Sequence, residues 1–159
     1  MRRNTIMARI DTRHLLTMRC DVDSTSHLGA VPQGYERRIV TVSGGTFEGH
    51  DLRGRIRPGG GDFLTIRSDG AYHLDVRLVL ETDGGELIYM TYIGRRNGPP
   101  EVMARYKRNE AVGADEDYFR TIVQFETAAP RLLRLNDLLA VGTGSRTAQG
   151  PIYEIFEVL

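Results

Sequence analysis

DGAYHLDVRLVLETDGGELIYMTYI, Asp69 to Ile93, decides the fold. Two apolar-rich runs flank Asp83-Gly84-Gly85, a turn signal between strands. In the first run His73, Asp75 and Arg77 alternate with Tyr72, Leu74, Val76 and Leu78. Successive side chains of a strand point to opposite faces, so the three polar residues share one face. Turned inward, that face would bury a carboxylate and a guanidinium, and buried charges must be paired. Turned outward, it is a solvated surface or a structural ion pair. The functional reading developed here turns it inward.

Outward from this pair the pattern repeats. Arg13 to Val22 reads as a first strand, followed by a polar loop at Asp23 to His27 that continues to Gly34. Glu36 to Ser43 is a second strand. Gly44-Gly45 then predicts a bulge, a bend or a close backbone approach. Asp51 to Arg57 is a short strand ending at Pro58-Gly59-Gly60-Gly61, and Asp62 to Arg67 resumes. Gly94 to Asp117 reads as a loop with one or two helical turns at Glu101 to Glu110. Tyr118 to Thr127 alternates, with Phe119, Thr121, Val123 and Phe125 on one face. A helical turn is expected within Ala128 to Asp137, a strand at Leu138 to Gly142, a loop at Gly142 to Gly150 and a last strand at Ile152 to Leu159. Many short strands with Gly-rich turns and little helix describe an all-β barrel or sandwich. A barrel is preferred, because the final strand would otherwise leave an open edge. Residues 1–12 lack periodicity and are expected to be disordered or frayed, with 13–159 as a single β-barrel domain.

Composition limits the function. The chain has 159 residues, 40% hydrophobic and 26% charged, with zero formal net charge. That balance gives no general attraction to nucleic acid. No apolar run is long enough for a membrane helix, and Met1-Arg2-Arg3-Asn4 precedes nothing like a secretion signal. Cys20 is the only cysteine, so no intrachain disulfide forms and the cytoplasm is the expected compartment. Gly-x-Ser-x-Gly, a dinucleotide fingerprint and zinc-ligand spacings do not occur, so no metal and no cofactor are expected. A homodimer is the expected assembly on general frequency.

Several motifs recur in a fixed order: Gly44-Gly45-Thr46-Phe47-Glu48-Gly49, Gly54, Pro58-Gly59-Gly60-Gly61-Asp62, Leu74-Asp75-Val76-Arg77 and Thr82-Asp83-Gly84. Tyr118-Phe119-Arg120-Thr121, Phe125-Glu126-Thr127, Leu135-Asn136 and Val141-Gly142-Thr143-Gly144 follow. Over Arg37 to Leu159 the ordered set resembles the family called domain of unknown function 3237. The resemblance implies a small closed β-barrel, similar to lipocalin-like or allene-oxide-cyclase-like barrels. Such barrels often hold a small apolar molecule or an isomerase or cyclase site.

The candidate site combines these lines. Asp62, at the end of the Gly-rich rim loop, and Asp75 are the candidate acid and base, and Arg77 is the group that would orient an anion. Tyr92 is the aromatic candidate for the lumen. Tyr89 lies on the opposite face. Arg120 and Glu126 share a face and are counted as ligand-binding candidates. So is Asn136, although capping of a Leu-rich turn explains it as simply. Cys20 reads as a core residue and His73 as a rim residue. Three functions fit: a cofactor-free isomerase, cyclase or hydrolase acting on a small organic molecule, a non-catalytic lipocalin-like carrier, and a structural barrel with a filled lumen.

Overall fold

The computed structural model describes residues 9–159. Residues 1–8, most of the segment expected to fray, lie outside them. At residue 11 the chain is already tied down, since the Leu159 N–H donates to the Asp11 carbonyl at 2.9 Å.

Nine antiparallel strands form one sheet that returns on itself. They are β1 (Thr12–Val31), β2 (Tyr35–Glu48), β3 (Arg53–Ile56), β4 (Gly60–Arg67), β5 (Tyr72–Thr82), β6 (Leu87–Asn97), β7 (Tyr118–Glu126), β8 (Ala140–Thr147) and β9 (Gly150–Val158). Helix α1 (Pro100–Lys107) lies between β6 and β7, and a 3-10 helix (Pro130–Asp137) lies between β7 and β8. The order runs β1-β9-β8-β7-β6-β5 and then through β3 and β4 to β2, which pairs with β1 and closes the ring. β3 and β4 share one position. β2 pairs with β4 over Tyr35–Val42 and with β3 over Thr46–Glu48, while β5 pairs with β4 from Tyr72 to Arg77 and with β3 from Leu80 to Thr82. The wall therefore has eight positions, a number whose interior side chains can fill or leave one small cavity.

Alternation explains the core. On β5 the residues Tyr72, Leu74, Val76, Leu78 and Leu80 are buried, as are Ile88, Met90 and Tyr92 on β6 and Phe119, Thr121, Val123 and Phe125 on β7. One end of the lumen is packed solid by Leu16, Met18, Phe47, Leu78, Leu80, Ile88, Met90 and Phe125. The 3-10 helix plugs this end with Leu132 and Leu135. It is fastened there by Arg134, which donates to the buried Glu157 at 2.6 Å, and Arg13 reaches the same carboxylate from β1. These guanidiniums, Arg134 first, hold the Glu157 carboxyl below the usual range.

Several strands run further than expected. The polar stretch from Asp23 to Val31 is strand rather than loop, paired with β2 through Ser24↔Thr41 and Val31↔Tyr35. Its side chains are mostly exposed, so hydrophobic alternation could not mark it. β6 continues to Asn97 through the expected loop, and β8 reaches Thr147 before a two-residue turn into β9. On the outer wall Ile93, Ile122, Val141 and Phe156 stand in register on four adjacent strands.

The Gly44-Gly45 pair marks a close approach with irregular register. Gly45 has φ +137°, and a Cβ there would lie 2.1 Å from the Arg19 carbonyl oxygen. Left-handed backbone strain and that overlap add. Gly45→Ala is expected to cost about 3 kcal/mol and to lower the melting temperature by at least ~5 °C, checked by calorimetry. Gly34, at φ +91° with open space around it, is the control. Gly34→Asn should change stability by under ~1 kcal/mol.

Candidate functional site

The other end of the lumen is hollow. A cavity of about 160 Å³ lies there, walled by β1, β2, β4, β5, β6, β7, β8 and β9 and roofed by Tyr106 and Lys107 of α1. That is room for several waters or one small ring with a short substituent. Its walls are strongly aromatic. Tyr92 and Tyr153 meet at 5.3 Å with their rings tilted, Phe119 meets Tyr153 at 5.4 Å and Tyr72 meets Tyr106 at 5.2 Å.

Asp62 is the one carboxylate among the residues lining this cavity. Period two on β4 puts it on the face shared by the buried Leu64 and Ile66. One carboxylate oxygen accepts the Asp75 backbone N–H at 3.0 Å. Burial pushes the carboxyl up to about 6, against the opposing effects of that hydrogen bond and of Arg37. Such a group is ionised at neutral pH yet remains a stronger base than a solvated carboxylate. Tyr92 and Tyr153 are fully enclosed. Burial, followed by the neighbouring acidic groups Cys20 and Asp62, pushes both phenols well above their usual range. They stay neutral and can donate O–H. Burial also pushes the Cys20 thiol up to about 12, so it lines the cavity as a thiol and not as a nucleophilic thiolate.

The structure separates the other candidates from this cavity. Asp75 and Arg77 point outward, which corrects the expected inward orientation. They form a surface ion pair at 3.1 Å with both side chains 48% exposed, and Arg77 covers the Phe63 ring at 5.2 Å. The reason is hydrophobic: the opposite face of β5 is wholly apolar from Tyr72 to Leu80, and only that face could be enclosed. A pair this exposed contributes at most ~1 kcal/mol. Arg120 and Glu126 are likewise exposed on the outer face of β7. Asn136 is at the plugged end and caps the backbone. Its Oδ1 accepts the Thr127 N–H at 3.0 Å, and its Nδ2 donates to the carbonyls of Thr127 and Leu133. Of the expected site residues, Asp62 and Tyr92 meet in one cavity.

Other residues escaped the sequence reading. Arg96 is 1% exposed and points inward at the hollow end. Its Nε donates to buried Asp117 at 2.5 Å, and its guanidinium lies between the Tyr106 ring at 3.8 Å and the Phe119 ring at 4.5 Å. Both rings line the cavity. Continuing the alternation Ile88, Met90, Tyr92, Gly94 by one step reaches Arg96, but the Gly-Pro-Pro sequence that follows disguised the strand. Tyr153, Arg38 and Arg146 also line the cavity.

Comparisons with known proteins agree with this architecture. The sequence profile of the family described as "Protein of unknown function (DUF3237)" matches residues 10–158, and the chain belongs to that family. A UPF0311 protein of Rhodopseudomonas palustris is 32% identical over 150 residues, which cover 94% of this chain and 97% of that protein. The crystal structure of a beta-barrel like protein from Acinetobacter baumannii superposes with a TM-score of 0.84 at 33% identity, covering 98% of this chain and 100% of that one. An enzyme from Penicillium herquei has the same fold, with a TM-score of 0.74 at 17% identity over 98% of this chain and 99% of that one. Among the described residues no helix is long and apolar enough to cross a membrane.

The raised Asp62 carboxyl makes stability depend on pH. The folded state holds its proton up to about pH 6, whereas the ordinary value is 3.8. Below pH 4 the carboxyl is protonated in both folded and unfolded chains and costs nothing. Between pH 4 and 6 the folded chain binds more protons, so this contribution destabilises as pH rises. Asp62→Asn keeps a neutral group with the same acceptor. It is expected to stabilise the fold by about 2 kcal/mol at pH 7.5 and by little at pH 4, read by urea unfolding at both values.

Proposed function

We propose that this member of the DUF3237 family binds a small organic molecule in the hollow end of its barrel and catalyses a cofactor-free proton transfer on it. The observation that carries this reading is Asp62, a carboxylate raised to about 6 in a cavity it shares with the neutral phenols Tyr92 and Tyr153. Burial raises both types, yet the carboxyl still ionises near neutrality while the phenols stay protonated, which supplies a base and a hydrogen-bond donor in one cavity.

In the proposed step a C–H adjacent to a substrate carbonyl gives its proton to Asp62. The C–H electron pair moves into the new C=C bond, and the carbonyl π pair goes to oxygen. A phenol O–H of Tyr153 or Tyr92 stabilises that oxyanion, as preorganised donors do in low-dielectric sites. Return of the proton from Asp62 to the same carbon re-forms the carbonyl and completes exchange. In a β,γ-unsaturated ketone the dienolate takes the proton at its γ-carbon as the carbonyl re-forms, which shifts the C=C bond and completes an isomerisation. No external oxidant, reductant or group donor enters. The buried free thiol of Cys20 supports the cytoplasm as the working compartment.

The test is deuterium exchange into a panel of small aryl and alkyl ketones in D2O, followed by NMR. The wild-type protein is expected to accelerate exchange for members that fit the cavity, with a rate that rises through pH 6 as Asp62 ionises. Asp62→Asn should lower that rate at least 100-fold, consistent with loss of a general base. Glu126→Gln, on the outer wall of β7 and not among the groups acting on Asp62, should leave it unchanged. Ketones that bind without any acceleration would assign the cavity to carriage instead.

A further inference from the structure

The cavity's acid and its bases are not balanced. Against the single lining carboxylate of Asp62 stand Arg38, Lys107 and Arg146. Arg38 is answered by Glu36, whose carboxylate accepts from its Nε at 2.7 Å. Arg146 has no acidic partner within ion-pair distance among the described residues. Its Nη2 donates to the neutral Asn109 side chain at 3.0 Å, and its Nε is buried without a hydrogen-bond partner. The imbalance deepens beneath it. The guanidiniums of Arg146 and Arg96 both lie over the Tyr106 ring, at 5.7 Å and 3.8 Å. Arg96 shares only Asp117, and both of its terminal amino groups are buried without partners. Two cations thus lie over one phenol ring, and a carboxylate, Asp117, answers only Arg96. Unpaired N–H donors of buried guanidiniums carry a large desolvation cost, which a planar anion removes. A guanidinium fork matches a carboxylate in shape and charge.

We propose that the ligand of this cavity is a small aryl carboxylate, its carboxylate bound at the α1 side of the mouth by Arg146 with Lys107 nearby, and its ring laid among Tyr72, Tyr106 and Phe119 towards Asp62. The assignment rests on the small-molecule reading of the same cavity and adds the charge of what enters it. It also divides labour inside the barrel. The cationic groups select and orient, and Asp62, whose carboxylate accepts only the Asp75 backbone N–H among the described residues, stays free to accept a proton. Among the described residues Asp62 makes no ion pair with Arg146, Lys107 or Arg38, and the cation that acts on it is Arg37 on the neighbouring strand.

The test is calorimetric titration of the full chain at pH 7.5 and low salt with three shape-matched probes: phenylacetate, phenylacetamide and phenethylamine. Phenylacetate is expected to bind at least 10-fold more tightly than phenylacetamide, and phenethylamine not at all. Arg146→Met should abolish that preference while leaving the phenylacetamide affinity unchanged. Lys107→Met, at an exposed position where folding is not in question, should reduce the preference by about 3-fold and make it less sensitive to salt. Equal binding of phenylacetate and phenylacetamide would overturn the carboxylate assignment and leave the cavity reading standing. Failure of all three to bind, with the Tyr92 and Tyr153 ring signals unmoved by NMR, would overturn both.

Discussion

Closure of the sheet is the constraint from which the rest follows. β1 carries it, pairing with β9 along its first half and with β2 along its second. Once the ring is closed, every strand has one face that sees the lumen and one that sees water. No side chain can avoid that choice by lying at an edge. Residues filling the packed end of the lumen are apolar, and the charge buried beside the plug, Glu157, is answered by Arg134 and Arg13. Residues at the hollow end can be polar because they share a space that solvent or a ligand can enter. The same chain thus builds a stable plug and a chemically varied cavity from one alternation rule.

Within the cavity, electrostatics sorts the groups by depth and side. Enclosure keeps Tyr92, Tyr153 and Cys20 protonated and leaves Asp62 poised near neutrality. The cations sit towards α1, where Lys107 is exposed and Arg146 partly so. Aromatic rings separate the two sides. They provide apolar area, and they spread the positive charge of Arg96 over two π-faces in place of a full complement of hydrogen bonds. Asp75 and Arg77, which have the most conspicuous charge pattern in the sequence, lie outside this arrangement and decorate the wall.

Much of the fold was legible in the sequence, for a definite reason. The alternation in Tyr72 to Leu80 and in Phe119 to Phe125 is the direct imprint of a wall with one dry face. What period two cannot say is which of two faces is dry. The charged set His73, Asp75 and Arg77 drew attention as chemistry, although the uninterrupted apolar set opposite them already argued that the charges belong in water. Asp62 and Tyr92 were legible individually, but their meeting depends on the register Asp62↔Val76 and Val76↔Tyr92, which long-range pairing alone fixes. The Ser24-Thr25-Ser26 segment of β1 carries no apolar signal because it is a rim strand wetted on most of its surface. Arg96 was hidden by the helix-starting prolines that follow it. These residues lie at or near the mouth, where the sequence must satisfy both a strand and an opening.

The position shared by β3 and β4 bears on how such a mouth could work. β4, with Asp62 and Leu64, belongs to the hollow half, while β3, with Ile56, belongs to the plugged half, and Arg57–Gly59 joins them. Elsewhere each stave of the wall runs unbroken through its own position, so a displacement at one end strains the other. Here the wall has a joint: the bonds that tie β4 to β2 and β5 around the cavity are separate from those that tie β3 to the same two strands beside the plug, so one stave serves the hollow half and the full half through two independent sets of bonds.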